Sequence, residues 1–167
     1  MKRGTHKKRS AGKDAVALLT EDHKTVDKIF KEFETLKKKD GSDAKKAELV
    51  RGACTALTVH AQLEEDLFYP AMYEAIDAED ELDEAEVEHA TIKSLVSQLE
   101  DMEPGDELYD ATVTVLAEYV RHHVKEEEGE IFPKAKKSDL DLDALGEQLL
   151  ERKRTLEDAS ASAQAAE

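Results

Sequence analysis

The chain has 167 residues, 40 of them Asp or Glu against 24 Lys or Arg, for a formal net charge of −16. Aromatic residues make up 5%, Trp is absent, and 7 Gly and 3 Pro are too few to punctuate a β-sandwich or barrel. An acidic body disfavours nucleic-acid binding, which needs clustered Lys and Arg to neutralise phosphates.

The one cysteine, Cys54, cannot close an intramolecular disulfide, which fits a reducing compartment. No apolar run approaches the ~18 residues that span a bilayer. The basic N-terminus is not followed by the apolar stretch of a secretory signal. The expected location is the cytoplasm, with no membrane contact.

Residues 1–13 hold six Lys/Arg and no acid, and read as a flexible tail whose partner the sequence does not name. Abundant Ala, Leu, Glu and Lys then favour long helices. The first carries an apolar stripe of Ala15, Leu18, Leu19, Val26, Ile29, Phe30, Phe33 and Leu36, interrupted by Asp22 and His23. The turn 40–43 supplies an Asp or Ser to start the next helix. That helix runs Leu49, Ala53, Ala56, His60, Leu63, Leu67 and Ala71 along one face. The third stripe is Leu82, Ala85, His89, Ile92, Val96 and Leu99. After the turn at Pro104-Gly105-Asp106, with a capping residue expected there, a fourth stripe takes Leu108, Thr112, Val115, Leu116, Tyr119, Val120, His123 and Ile131. A shorter fifth helix over 141–158 has Leu142, Leu145, Leu149 and Leu156 on one side, and 159–167 is expected to fray. Four long helices with short connections predict an all-α, antiparallel up-down-up-down four-helix bundle over 14–136, with an additional helix in 137–158.

Each stripe contains a histidine: His23, His60, His89 and His123. Glu64 and Glu127 follow the second and fourth by four residues, one helical turn along the same face and about 6 Å away. A carboxylate buried among Leu and Val costs several kcal/mol unless a positive charge compensates it. No inward Lys or Arg stands near in sequence, so a bound cation is the expected partner. The chain also repeats. His23 aligned on His89 puts Val26 on Ile92, Phe30 on Val96 and Phe33 on Leu99; HAQLEEDLFYP aligns without a gap on HVKEEEGEIFP. Two such hairpins bring four His and two Glu to one place, enough for two metals with each Glu available to bridge. Mixed nitrogen and oxygen donors without thiolate favour two iron ions, with manganese second. An octahedral pair keeps positions for an oxo or hydroxo bridge and a small exogenous molecule.

The order H…HxxxE…H…HxxxE on four helices, with LLTEDHKTVDKIFKEFE and the paired HxxxEE endings before Pro70 and Pro133, resembles the hemerythrin-like (HHE) cation-binding domains. The resemblance implies a non-haem di-iron centre held by His23, His60, Glu64, His89, His123 and Glu127. Oxygen-carrying members have a fifth histidine and a last-helix Asp, which this chain lacks. The resemblance therefore points towards relatives that sense iron or oxygen, decompose peroxide or reduce nitric oxide. A small-oxidant binding module, an enzyme acting on hydrogen peroxide or nitric oxide, and a partner-binding scaffold remain open readings.

His122/Glu126 offers a second HxxxE register; the gapless hairpin match selects His123/Glu127 and leaves His122 as a flank. Asp27 is read as an outer acceptor for an imidazole or as a surface carboxylate. Tyr69, Tyr73 and Tyr119 lie within reach of the stripes and are expected to pack with hydroxyls at the rim, the alternative being a phenol that ligates the iron or donates a hydrogen bond beside it. Cys54 is expected to fill the core, and Glu65 and Glu128 to face solvent. His6 lies in the tail. A ferritin-like site would need Glu-x-x-His twice, and only Glu86/His89 matches.

Overall fold

The computed structural model describes residues 13–166. Most of the basic tail, with His6, lies outside them. The order is α1 (Ala15–Lys38), α2 (Asp43–Leu63), a π-helical turn (Glu64–Phe68), α3 (Tyr69–Ala75), α4 (Glu79–Glu100), α5 (Tyr109–Glu126), a second π-helical turn (Glu127–Ile131), α6 (Phe132–Lys137) and α7 (Leu142–Gln164). Among the described residues every regular element is helical.

Local chemistry sets the ends. The Asp14 carboxylate accepts from the Ala17 amide at 2.8 Å, Ser42 caps α2, and Asp141 accepts from Ala144 at 2.9 Å at the start of α7. Helix α1 closes with Asp40 in the left-handed region (φ 54°) and the Gly41 amide on the Leu36 carbonyl at 2.8 Å. Asp106 does not cap α5. Its carboxylate accepts from the Glu103 amide inside the turn, and the helix begins three residues later without a side-chain cap.

The buried residues form two apolar clusters at opposite ends of the bundle. One joins Leu19 at the start of α1, Leu63 at the end of α2, Leu82 at the start of α4 and Phe132 after α5. The other joins Phe30 and Phe33 late in α1, Val50 and Leu57 earlier in α2, Val96 and Leu99 late in α4, and Val113 and Leu116 early in α5. Starts of α1 and α4 meeting ends of α2 and α5 mean that the helices alternate in direction, as their short connections require. The four histidines lie between the clusters.

Two expectations shift. In α5 the inward stripe is Tyr109, Val113, Leu116, Ala117, Val120 and His123, whereas Leu108, Val115 and Tyr119 are exposed. Two apolar stripes lie one position apart on this helix, and only the one in phase with His123 reaches the axis. Helix α7 runs on to Gln164 instead of fraying after 158. The Ala-rich end has high helix propensity, and the Gln164 amide donates to Thr55 on α2.

Helix α7 lies across α1 and α2, and Gly146 sits tight against the backbone that enters α1. A Cβ there would stand 2.6 Å from the Lys13 carbonyl oxygen and 2.9 Å from the Ala15 amide nitrogen. Gly52, within α2, has nothing within 4 Å of the same position. Gly146→Ala is therefore expected to destabilise by about 1–3 kcal/mol through overpacking, and Gly52→Ala to stabilise by about 0.5–1 kcal/mol. Urea midpoints of the two variants check the opposite signs.

Candidate metal centre

His23 comes from α1, His60 from α2, His89 from α4 and His123 from α5, while Glu64 and Glu127 open the two π-helical turns. In each turn the backbone widens by one residue: the Tyr69 amide reaches back five residues to the Glu64 carbonyl, and Phe132 does the same to Glu127. The next residues are Pro70 and Pro133. A proline inside a regular helix loses a hydrogen bond and meets the carbonyl four residues back, a clash the wider turn relieves. The repeated proline and the repeated inward glutamate are thus one local solution, used twice.

All six predicted residues converge, and all are buried; Glu64 and Glu127 are 0% and 1% exposed. His23 Nε2 stands 3.0 Å from His60 Nε2, and His89 Nε2 3.2 Å from His123 Nε2. Glu64 spans the two pairs, with Oε1 3.0 Å from His60 Nε2 and Oε2 3.1 Å from His89 Nε2. Glu127 Oε2 lies 3.2 Å from His23 Nε2 and 3.8 Å from His123 Nε2. The donors fall into two overlapping groups, His23/His60/Glu64/Glu127 and Glu64/His89/His123, and within each the ligand atoms lie within 4.8 Å of one another.

The outward nitrogens show why these imidazoles need an ion. His23 Nδ1 donates to Glu128 at 2.8 Å, His89 Nδ1 to Glu65 at 2.9 Å and His123 Nδ1 to Glu88 at 2.7 Å. Asp22 lies 3.6 Å from His60 Nδ1, the loosest of the four. Protons held at Nδ1 of His23, His89 and His123 leave lone pairs on their inward Nε2 atoms. Two such lone pairs, those of His89 and His123, face each other at 3.2 Å and repel unless a proton or a cation lies between them. His60 Nδ1, Glu64 Oε1 and Glu127 Oε2 have no hydrogen-bond partner. Four inward imidazole nitrogens and two bare carboxylate oxygens make a donor set that fits metal ions of mixed nitrogen/oxygen preference.

Charge tells the same story. Burial pushes the Glu64 carboxyl up, but His60 and His89 outweigh it and hold it well below the ordinary carboxylate range. Glu127 goes the other way, raised by burial and by the Glu64 charge beside it, beyond what His23 and His123 recover. Burial pushes the His60 imidazole down, yet Glu64 and Asp22 bring it up to about 10. In the metal-free protein, protons supply the positive charge the carboxylates require.

Next to the four imidazoles is a cavity of about 20 Å³, walled by Val26, Leu57, Ile92, Val120 and Val124. That is room for one water-sized or diatomic molecule. On the other side the Tyr69 hydroxyl donates to Glu127 at 3.1 Å and stands 3.3 Å from His89 Nε2. Phe132 stacks on His23 with ring centroids 5.7 Å apart.

Several flanking roles differ from expectation. Tyr69 is buried at the centre with its hydroxyl inside, not at the rim; Tyr73 donates to Asp83 at the surface, and Tyr119 is exposed. Asp27 pairs with Lys31 and Arg121 and touches no imidazole. Glu65 and Glu128, expected to face solvent, hold His89 and His23. Their signal was in the repeat: each hairpin carries an acid directly before its first histidine (Asp22, Glu88) and five after its second (Glu65, Glu128). His122 is a flank, 3.3 Å from Glu88 and 3.2 Å from Glu126. Cys54 is a buried thiol, pushed up to about 12 chiefly by burial, and fills the core as expected.

The hemerythrin HHE cation-binding domain matches residues 14–135, and the chain belongs to that family. The fold is similar to the crystal structure of a hemerythrin HHE cation-binding domain-containing protein from Mycobacterium kansasii, with a TM-score of 0.75 and 20% identity over 89% of this chain and 90% of that one. No curated protein matches the sequence. Among the described residues no helix is long and apolar enough to cross a membrane.

The raised His60 has a consequence for stability. A folded-state value of about 10 against the ordinary 6.5 means that its contribution is complete below pH 6.5 and is lost as the pH rises through about 10. Chelator-stripped protein is expected to show a urea midpoint that falls steadily from pH 6.5 to 10. A level or rising midpoint over that window would contradict the charge assignment.

Proposed function

We propose that this protein is a non-haem di-iron protein of the cytoplasm, whose buried centre binds a small oxidant (dioxygen, peroxide or nitric oxide) in oxygen or iron sensing or in the response to oxidative stress. The observation that carries the reading is the convergence of four Nε2 atoms and two unpartnered carboxylate oxygens beside a small cavity walled mainly by aliphatic side chains. His23, His60, His89, His123, Glu64 and Glu127 would hold the pair of ions, Glu64 having one oxygen toward each histidine pair. Bound iron would supply Lewis acidity and redox chemistry. Iron is favoured over manganese by the four imidazoles, since manganese prefers oxygen donors.

The chain's own residues do the rest. Carboxylates at Nδ1 of His23, His89 and His123 fix ring orientation and tautomer and raise donor strength. Val26, Leu57, Ile92 and Val120 keep bulk water from the cavity and limit it to small guests. The family's cation-binding character agrees with the donor set.

A second reading, an enzyme that decomposes hydrogen peroxide or reduces nitric oxide, is favoured by Tyr69. Its hydroxyl is a proton donor inside the centre, within 3.5 Å of Glu64, His89 and Glu127. Reduction of two nitric oxide molecules to nitrous oxide and water takes up two protons and two electrons, which an external donor must replace. Decomposition of two peroxides to water and dioxygen moves protons from one peroxide to the other with no net uptake. A fixed hydroxyl beside the centre serves either transfer. Spectra of the anaerobically reduced protein with dioxygen, peroxide or nitric oxide separate the readings. A stable, reversible adduct supports binding, and oxygen evolved from peroxide over many turnovers supports the enzyme. No response to any of the three contradicts both.

His60→Ala and Glu127→Ala are expected to lose most of the iron retained after iron-replete growth, and His122→Ala to keep it. Glu65→Gln, which removes the acceptor for His89 Nδ1, is expected to weaken iron binding by about 10–100-fold without unfolding the bundle. Iron content by metal analysis, with competition against a chelator, checks both.

A further inference from the structure

The route by which an ion reaches so enclosed a centre is constrained by charge. A cation crossing an apolar wall meets a prohibitive desolvation cost, so the way in must be lined by compensating charge. The cavity above the imidazoles is walled by aliphatic side chains apart from the histidines and Asp22, and the Asp22 carboxylate is already paired with Lys153. The larger groove on the α1, α2 and α7 side carries Arg51 and Lys153 beside its acids.

On the opposite side of the centre, between α4 and the end of α5, lies a cleft of about 50 Å³ lined by Glu81, Glu84, Glu88, Glu126, Glu127 and Glu130. Neither lysine nor arginine lines it, although Lys134 pairs with Glu81 nearby. Buried His123 and Glu127 are part of that lining, and Glu127 Oε2 has no hydrogen-bond partner. At its rim a further group of donors meets: Glu88 Oε1 is 3.3 Å from His122 Nε2, which is 3.2 Å from Glu126 Oε1, and one ligand atom from each lies within 4.8 Å of the others.

We propose that this cleft is the loading route for metal ions, with Glu88, His122 and Glu126 as an outer divalent-cation site that passes the ion inward to Glu127. The proposal rests on the reading of the inner centre as a metal site and extends it to how that site is filled. It also explains the doubled HxxxE text of α5. His122/Glu126 and His123/Glu127 are the same spacing one residue apart, so one pair turns to the rim while the other turns to the axis. Glu88 belongs to both levels: Oε1 faces His122 and Oε2 accepts from His123 Nδ1. An ion at the rim is thus one carboxylate away from an inner ligand.

The test follows ferrous iron alone, added anaerobically to chelator-stripped full-length protein, as the iron that becomes protected from a rapid chelator quench. Removing three cleft charges in Glu84→Gln/Glu126→Gln/Glu130→Gln is expected to slow uptake at least ~10-fold at low ionic strength, with the same final iron content. His122→Ala is expected to slow it too, and Glu48→Gln/Glu157→Gln, which removes two acids from the other groove, to leave it unchanged. The unmutated chain gives an independent check: its uptake is expected to slow with rising salt, and the triple variant's to be nearly insensitive. A triple variant that loads at the unmutated rate, or unmutated uptake indifferent to salt, overturns the route. Unmutated protein that takes up no iron overturns the inner centre itself, a different result.

Discussion

Two glutamates buried to 0% and 1% exposure in the middle of an apolar bundle are the constraint on which the rest of this structure depends. Left bare, each would cost several kcal/mol, enough to consume much of the stability of a domain this size. The protein offsets the cost by surrounding them with four imidazoles, so that positive charge, from protons or from an ion, is drawn to one point on the axis. The apolar clusters above and below serve this arrangement. They hold the four helices rigidly and keep water from screening the charges between them.

The pseudo-two-fold relation between the hairpins explains how so many donors meet. His23 lies against His60 from its own hairpin, and His89 against His123 from its own. The carboxylates cross over: Glu64 reaches His89 and Glu128 reaches His23, while Glu127 leans on His23 and Glu65 holds His89. Each hairpin therefore completes the other's half of the centre, and neither alone has a full donor set. Outward from there, Lys153 of α7 pairs with Asp22 and Lys93 of α4 pairs with Glu65. The additional helix α7 is thereby tied to the His60 side of the centre as well as packed on α1 and α2.

Much of this was readable in the sequence, for a physical reason. Helical period and repeat are local properties, and the six inward residues share both, so their convergence followed once four stripes had to be buried together. What escaped was set by contacts between helices. Glu65 and Glu128 look outward on their own helices, and only the neighbouring hairpin supplies the imidazole that each one holds. Tyr69 follows the π-helical turn, which shifts the phase of every residue after it and carries the hydroxyl inward. In α5, apolar residues run in two phases, one from Leu108 through Val115 and one from Tyr109 through Val113 and Val120. Packing against α4 and α1 selects the one that contains His123.

On the function proposed above, the buried carboxylates and imidazoles cage a coupled pair of irons, and Mössbauer spectroscopy of protein purified from cells grown on iron-57 reads that pair out. The expected spectrum is a single population of high-spin ferric iron in a diamagnetic, antiferromagnetically coupled pair. Magnetically isolated iron, or protein free of iron after iron-replete growth, would contradict it.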